Sequence, residues 1–80
     1  MKQDASKAFV VINVKIGSEG EAFKKLKNMV GIKEVHVVYG AFDIVAHIEA
    51  NSLEELKEQV ANIRNMDSVR STLTMIVANR

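Results

Sequence analysis

Two Ser-x-x-Glu boxes, Ser18 to Glu21 and Ser52 to Glu55, constrain the fold of this chain more than any other feature. In such a box the serine hydroxyl accepts from the backbone N–H three residues on, and the glutamate reaches back. Each box stands behind a β-branched run and ahead of apolar residues at helical spacing. Before the first lies Ala8 to Lys15, AFVVINVK, which has the composition of a strand and is ended by Gly17. After it, Ala22, Phe23, Leu26 and Met29 recur on one helical face, with Lys24, Lys25 and Lys27 outward. Gly31 closes that helix. Ile32 to Tyr39 and Phe42 to Ala50 read as two further strands. Leu53, Leu56, Val60 and Ile63 form one apolar stripe behind the second box, and Val69 to Ala78 reads as a last strand.

The predicted order is β-α-β-β-α-β, a weak internal duplication in which each half is a strand, a capped helix and a strand. That order predicts an α+β, ferredoxin-like fold: a four-stranded antiparallel sheet with both helices on one face. A single domain is expected over residues 8–80, behind a flexible polar segment at residues 1–7. A domain of 80 residues is small. It buries only about 60% of the surface its unfolded chain exposes. Yet 48% of the residues are hydrophobic, so part of this apolar material is expected in a contact between subunits.

Charge and composition exclude several functions. Eleven basic and ten acidic residues give a net charge of +1, which is no electrostatic footprint for direct nucleic-acid binding. The opening MKQDASK lacks the apolar centre of a signal peptide, and no apolar run is long enough to span a membrane, so a cytoplasmic protein is expected. With no cysteine and two histidines, a metal site is not expected. There is no Cys nucleophile, no Gly-rich phosphate loop and no convincing Ser–His pair, which argues against an enzyme and against a cofactor.

Alternation along the strands sorts their side chains into two faces. With Gly40-Ala41 at the centre of the second turn, Val35, Val37, Tyr39, Phe42, Ile44, Ala46 and Ile48 share an apolar face, expected toward the helices. Val10, Ile12 and Val14 are expected there too, as are Leu73, Met75 and Val77. The opposite face then carries Phe9, Val11, Asn13, Glu34, His36, Val38, Asp43, Val45, His47 and Glu49. From the last strand it takes Arg70, Thr72, Thr74 and Ile76. A sheet face open to water should be mostly polar. This one mixes apolar and polar residues, which suits a contact with another protein surface. The expected interface residues are Phe9, Val11, Asn13, His36, Val38, Val45, His47, Thr72, Thr74 and Ile76.

The turn Val38-Tyr39-Gly40-Ala41-Phe42-Asp43 and the last-strand stretch Val69-Arg70-Ser71-Thr72-Leu73-Thr74 carry a resemblance. With the element order they make the chain similar, from Ala8 to Ala78, to the effector-binding (RAM) domain of the Lrp/AsnC family of transcription regulators. The resemblance implies dimers packed sheet to sheet, assembly into larger rings, and an amino acid bound between dimers near the β2–β3 turn. Full-length regulators of that family carry a helix-turn-helix ahead of this domain, and a first strand near Ala8 leaves no room for one. The expected role is therefore a stand-alone sensing module acting on itself or on a full-length regulator. The alternative is an oligomerisation module without a ligand; an amino-acid-binding ACT domain would share the topology.

An amino-acid ligand needs donors for its carboxylate and an acceptor for its ammonium. The backbone amides of Gly40 and Ala41, the Asp43 carboxylate, and the hydroxyls of Ser71, Thr72 and Thr74 are candidates, with Tyr39 or Phe42 as a wall. Asp43 has a second reading, as an acceptor for backbone amides, and Gly40 a second reading as a turn residue.

Overall fold

The computed structural model describes residues 6–78. The chain runs β1 (Ser6–Val14), α1 (Glu19–Lys27), β2 (Ile32–Val37), β3 (Ile44–Ala50), α2 (Leu53–Arg64) and β4 (Val69–Ile76). The four strands form one antiparallel sheet in the order β2-β3-β1-β4. Ser6 and Lys7 already belong to β1, so the first strand begins two residues before Ala8. Residues 1–5, the rest of the segment expected ahead of the domain, lie outside the described residues.

Every second residue of β1 and β3 is buried: Ala8, Val10, Ile12 and Val14, then Ile44, Ala46, Ile48 and Ala50. They meet Ala22 and Leu26 of α1 and Leu56 and Ile63 of α2 in a single core, with Val35 from β2. The helix stripes are thus the ones the spacing predicts, except at Leu53, which is exposed in the first turn of α2.

The two helix starts differ. Ser52 is extended, and its hydroxyl accepts from Glu55 N–H at 3.1 Å, while Glu55 Oε1 accepts from Asn51 N–H at 2.8 Å. Ser18 has φ −101° and ψ 7°, and its side chain makes no cap bond. The first expected box is therefore not formed by side chains, and the Ser18 carbonyl instead accepts from Ala22 N–H at 2.9 Å.

The β2–β3 register is the expected one, with Val37 opposite Ile44 and Val35 opposite Ala46. The strands stop short of the predicted ends, and residues 38–43 form a longer turn clipped by Val38 N–H to the Asp43 carbonyl at 2.8 Å. Tyr39 is fully exposed and Phe42 half-buried, so Tyr39 does not brace the hairpin against the helices. Val37, expected on the same face, is exposed as well.

The faces of the last strand are the reverse of those expected. Val14 pairs with Val69 but Asn13 pairs with Ser71, which leaves Arg70 as an extra residue in a β-bulge. A bulge shifts the alternation by one. Past it, Thr72 pairs with Ile12, Thr74 with Val10 and Ile76 with Ala8, all on the helix side. Leu73 pairs with Val11 and Met75 with Phe9, on the open face. Val77, just beyond β4, donates to the Lys7 carbonyl at 2.9 Å. Thr72, Thr74 and Ile76 are therefore not open-face residues, and Leu73 and Met75 do not face the helices.

Candidate functional site

The open face is built in cross-strand rows. One row is Glu34, His47, Phe9 and Met75, and the next is His36, Val45, Val11 and Leu73. The Phe9 ring stacks on His47 with centroids 4.8 Å apart and planes 17° from parallel. His36 Nε2 lies 3.2 Å from Glu34 Oε1. With Leu73 and Met75 in place of two threonines, this face is more apolar than the sequence suggested. Phe9, Leu73 and Met75 keep 41%, 54% and 49% of their surface exposed, a high value for large apolar side chains on one face. Among the described residues, no three His, Cys, Asp or Glu gather in a way that could hold a metal.

At one end of this face, the end of β1, the start of β4 and the residue before β3 border an open recess of about 430 Å³. Asn13, Val14, Ile16, Asp43, Arg70 and Ser71 line it. Asn13 Nδ2 donates to Ser71 Oγ at 3.3 Å, which joins β1 to β4. Asp43 joins β3 to β1 twice: its N–H donates to the Ile12 carbonyl, and its Oδ2 accepts from Val14 N–H, both at 2.9 Å. This is the structural reading of Asp43, although the amide it satisfies belongs to β1 and not to the turn. One carboxylate oxygen is taken by that bond.

Asp43 and Arg70 form no ion pair with each other among the described residues. The recess is thus lined by a carboxylate and a guanidinium that are not paired with each other, and by the Asn13 amide and Ser71 hydroxyl that link the strands. That set can take an ammonium and a carboxylate carried on one small molecule.

Of the expected ligand residues, the structure brings Asp43 and Ser71 together here. Tyr39, Gly40, Ala41 and Phe42 do not line the recess, and Thr72 and Thr74 line cavities on the helix side of β4. Gly40 has φ +132°, and a Cβ there would meet nothing within 4 Å. Its glycine is explained by backbone conformation, with no close approach needed. Arg70 is the residue that sequence reasoning left out of the site. Its only signal was a lone cation ahead of a Ser/Thr-rich strand. Asn13 was expected at the interface and not in the site.

The profile of the Lrp/AsnC ligand binding domain matches residues 7–80. The chain belongs to that family. Two solved structures are similar over almost their entire length. FFRP-DM1 has a TM-score of 0.89 and 34% identity, over 91% of this chain and 99% of that one. The hypothetical protein PHS023 from Pyrococcus horikoshii has a TM-score of 0.87 and 33% identity, over 94% of this chain and 92% of that one. A homocitrate synthase from Sulfurisphaera tokodaii is 37% identical over 57 residues, 71% of this chain. The matched stretch is only 12% of that enzyme's length.

Proposed function

We propose that this Lrp/AsnC domain is a non-catalytic sensor of a free amino acid, bound in the Asp43–Arg70 recess. The observation that carries this reading is the pairing of opposite charges in one recess. An α-amino acid carries both complementary charges on adjacent carbons. Arg70 takes the carboxylate, assisted by Ser71 or Asn13. Asp43 takes the ammonium with the oxygen that does not hold Val14. The exposed turn from Tyr39 to Phe42 lies next in the chain to Asp43, and a neighbouring subunit seated there would close the recess.

The second part of the proposal is assembly. Phe9, Val11, Val45, Leu73 and Met75, with Asn13, His36 and His47, form the surface on which a second copy packs its own sheet. Val38 borders it at the hairpin end. This gives a homodimer whose ring-like association places recesses between dimers. The sensed amino acid then acts through the assembly on a DNA-binding regulator of the same family.

One observation favours a second reading of the output. A stretch 37% identical to this chain forms part of a homocitrate synthase. On that reading, the amino acid tunes an enzyme.

The test is isothermal titration with the common amino acids, followed by sedimentation of the chain with and without any that bind. Heat from one or two amino acids, lost in Arg70→Ala, supports the reading. No heat from any of them, in a protein that melts cooperatively, refutes sensing and leaves oligomerisation alone.

A further inference from the structure

The sheet has two outer strands, β2 and β4, and they are not equivalent. The β2 edge has six residues, a register break at Lys33, and the charged or polar Glu34 and His36. Short length, bulges and charges all discourage a further strand. The β4 edge has eight residues, VRSTLTMI, with no Pro, Lys or acid, and its single charge sits at the bulge. Past that bulge, from Ser71 to Ile76, no charge or break guards it.

Beside that edge, on the helix side, two cavities of about 590 and 410 Å³ adjoin. They share Val60, Arg64 and Thr74, and so form one trough between α2 and β4 from Val69 to Ile76. Its Ile76 end is mainly apolar, lined by Leu56, Val60, Ala61 and Ile76, and its Val69 end is more polar, lined by Arg70, Ser71 and Thr72. Its charges are all positive: Lys57, Arg64 and Arg70. Residues 57, 60, 61 and 64 follow i, i+3, i+4 and i+7, so one stripe of α2 turns these cations to the trough. No carboxylate lies within ion-pair distance of the three among the described residues. On the other face of the same strand, Leu73 and Met75 are about half exposed.

We propose that the β4 edge docks an extended acidic segment of a partner protein, which joins the sheet as a fifth strand. Its acidic side chains lie toward Lys57, Arg64 and Arg70. The alternate, apolar side chains lie beside Leu73 and Met75. The main chain of such a strand supplies hydrogen bonds, and its alternate side chains supply specificity. The two faces of β4 therefore ask for a strand that alternates acid and apolar residue. Eight residues at about 3.3 Å each offer an edge roughly 26 Å long. A second copy of this chain is a poor occupant: its β2 edge, IKEVHV, is mixed in charge and broken at Lys33, and its β4 edge brings Arg70 and no acid to the three cations. The proposal does not depend on the amino-acid reading of the Asp43 recess.

The experiment is an NMR titration of the labelled chain with two capped octapeptides, one alternating Glu and Val, the other Lys and Val. The Glu peptide is expected to give saturable shifts and slowed amide exchange confined to Val69–Ile76 and the facing side of α2. The Lys peptide should bind at least tenfold more weakly. The double reversal Lys57→Glu with Arg64→Glu, both exposed on α2, should invert that preference. Four results would overturn the proposal. They are equal binding of the two peptides, shifts on another surface, and no inversion in a reversal variant that melts like the parent. The fourth is slow exchange, in the peptide-free assembly, of the β4 amides that point away from β1, which would mean that a second copy covers the edge.

Discussion

Replacing Asp43 separates its two jobs, because alanine and asparagine remove different things. Asp43 Oδ2 accepts from Val14 N–H at 2.9 Å in a partly buried setting. Alanine deletes the acceptor and leaves that amide unpaired, at a cost of about 2 kcal/mol for a bond to a charged group. Unfolding entropy is about 2.1 cal/mol/K per residue. For 80 residues this gives roughly 0.17 kcal/mol/K, and Asp43→Ala should lower Tm by about 12 °C. Asparagine keeps an acceptor oxygen and loses only the charge. Its cost should stay below about 1 kcal/mol, or roughly 6 °C. Both variants should lose the amino-acid response, since neither offers a carboxylate to an ammonium. The assay is a thermal melt at one fixed protein concentration, with and without millimolar amino acid. The concentration is fixed because assembly also shifts Tm. A ligand at a hundred times its Kd contributes about 2.7 kcal/mol per site, which is easily seen on a chain of this size. Asp43→Asn melting near the parent and shifting normally with ligand would refute the ammonium role. Asp43→Ala melting within a few degrees of the parent would refute the value assigned to the Val14 bond.

Arg70→Ala should weaken amino-acid binding at least tenfold by titration calorimetry, while the ligand-free Tm moves by only a few degrees, as for most exposed substitutions. Gly31→Ala should cost about 3 kcal/mol in denaturant unfolding: Gly31 has φ +92°, and its Cβ would stand 2.9 Å from the Glu49 carbonyl oxygen. Ser68 is 5% exposed, and its hydroxyl has no hydrogen-bond partner among the described residues. Ser68→Ala should therefore raise stability, by about 1 kcal/mol, and a loss would mean that the hydroxyl has a partner in solution. Ser52→Ala should cost about 1 kcal/mol and Ser18→Ala much less, because only Ser52 caps its helix with its side chain.

The element order and the helix stripes were legible because they rest on local chemistry. β-branched runs, serine starts and glycine stops act within a few residues of themselves. The central register was legible as well, since the Gly40-Ala41 turn fixes which residues oppose each other. What the sequence could not show was the bulge at Arg70. An extra residue there leaves the apolar pattern of Leu73 and Met75 intact and reverses the side on which it lies. That one residue moved Thr72 and Thr74 to the helix side and brought Leu73 and Met75 to the open face. For the candidate site, Asp43 was legible because an acid after a turn invites an explanation. The role of Arg70 was not: alternation put it on the same face as Asp43, but the pattern within each strand does not say which strand ends meet in one recess. Tyr39 drew attention as an aromatic in a turn, and nothing in a single chain holds it.

Arg70 lines the Asp43 recess and also the trough along β4. One guanidinium cannot be committed fully to an anion in both. With the recess and the trough occupied as proposed, the two binding events draw on the same cation. Linkage then requires that the amino acid weaken strand docking by the same factor by which docking weakens the amino acid. A single inserted residue would thereby make the domain a thermodynamic antagonist switch, with metabolite and protein partner competing across the width of one strand and never touching.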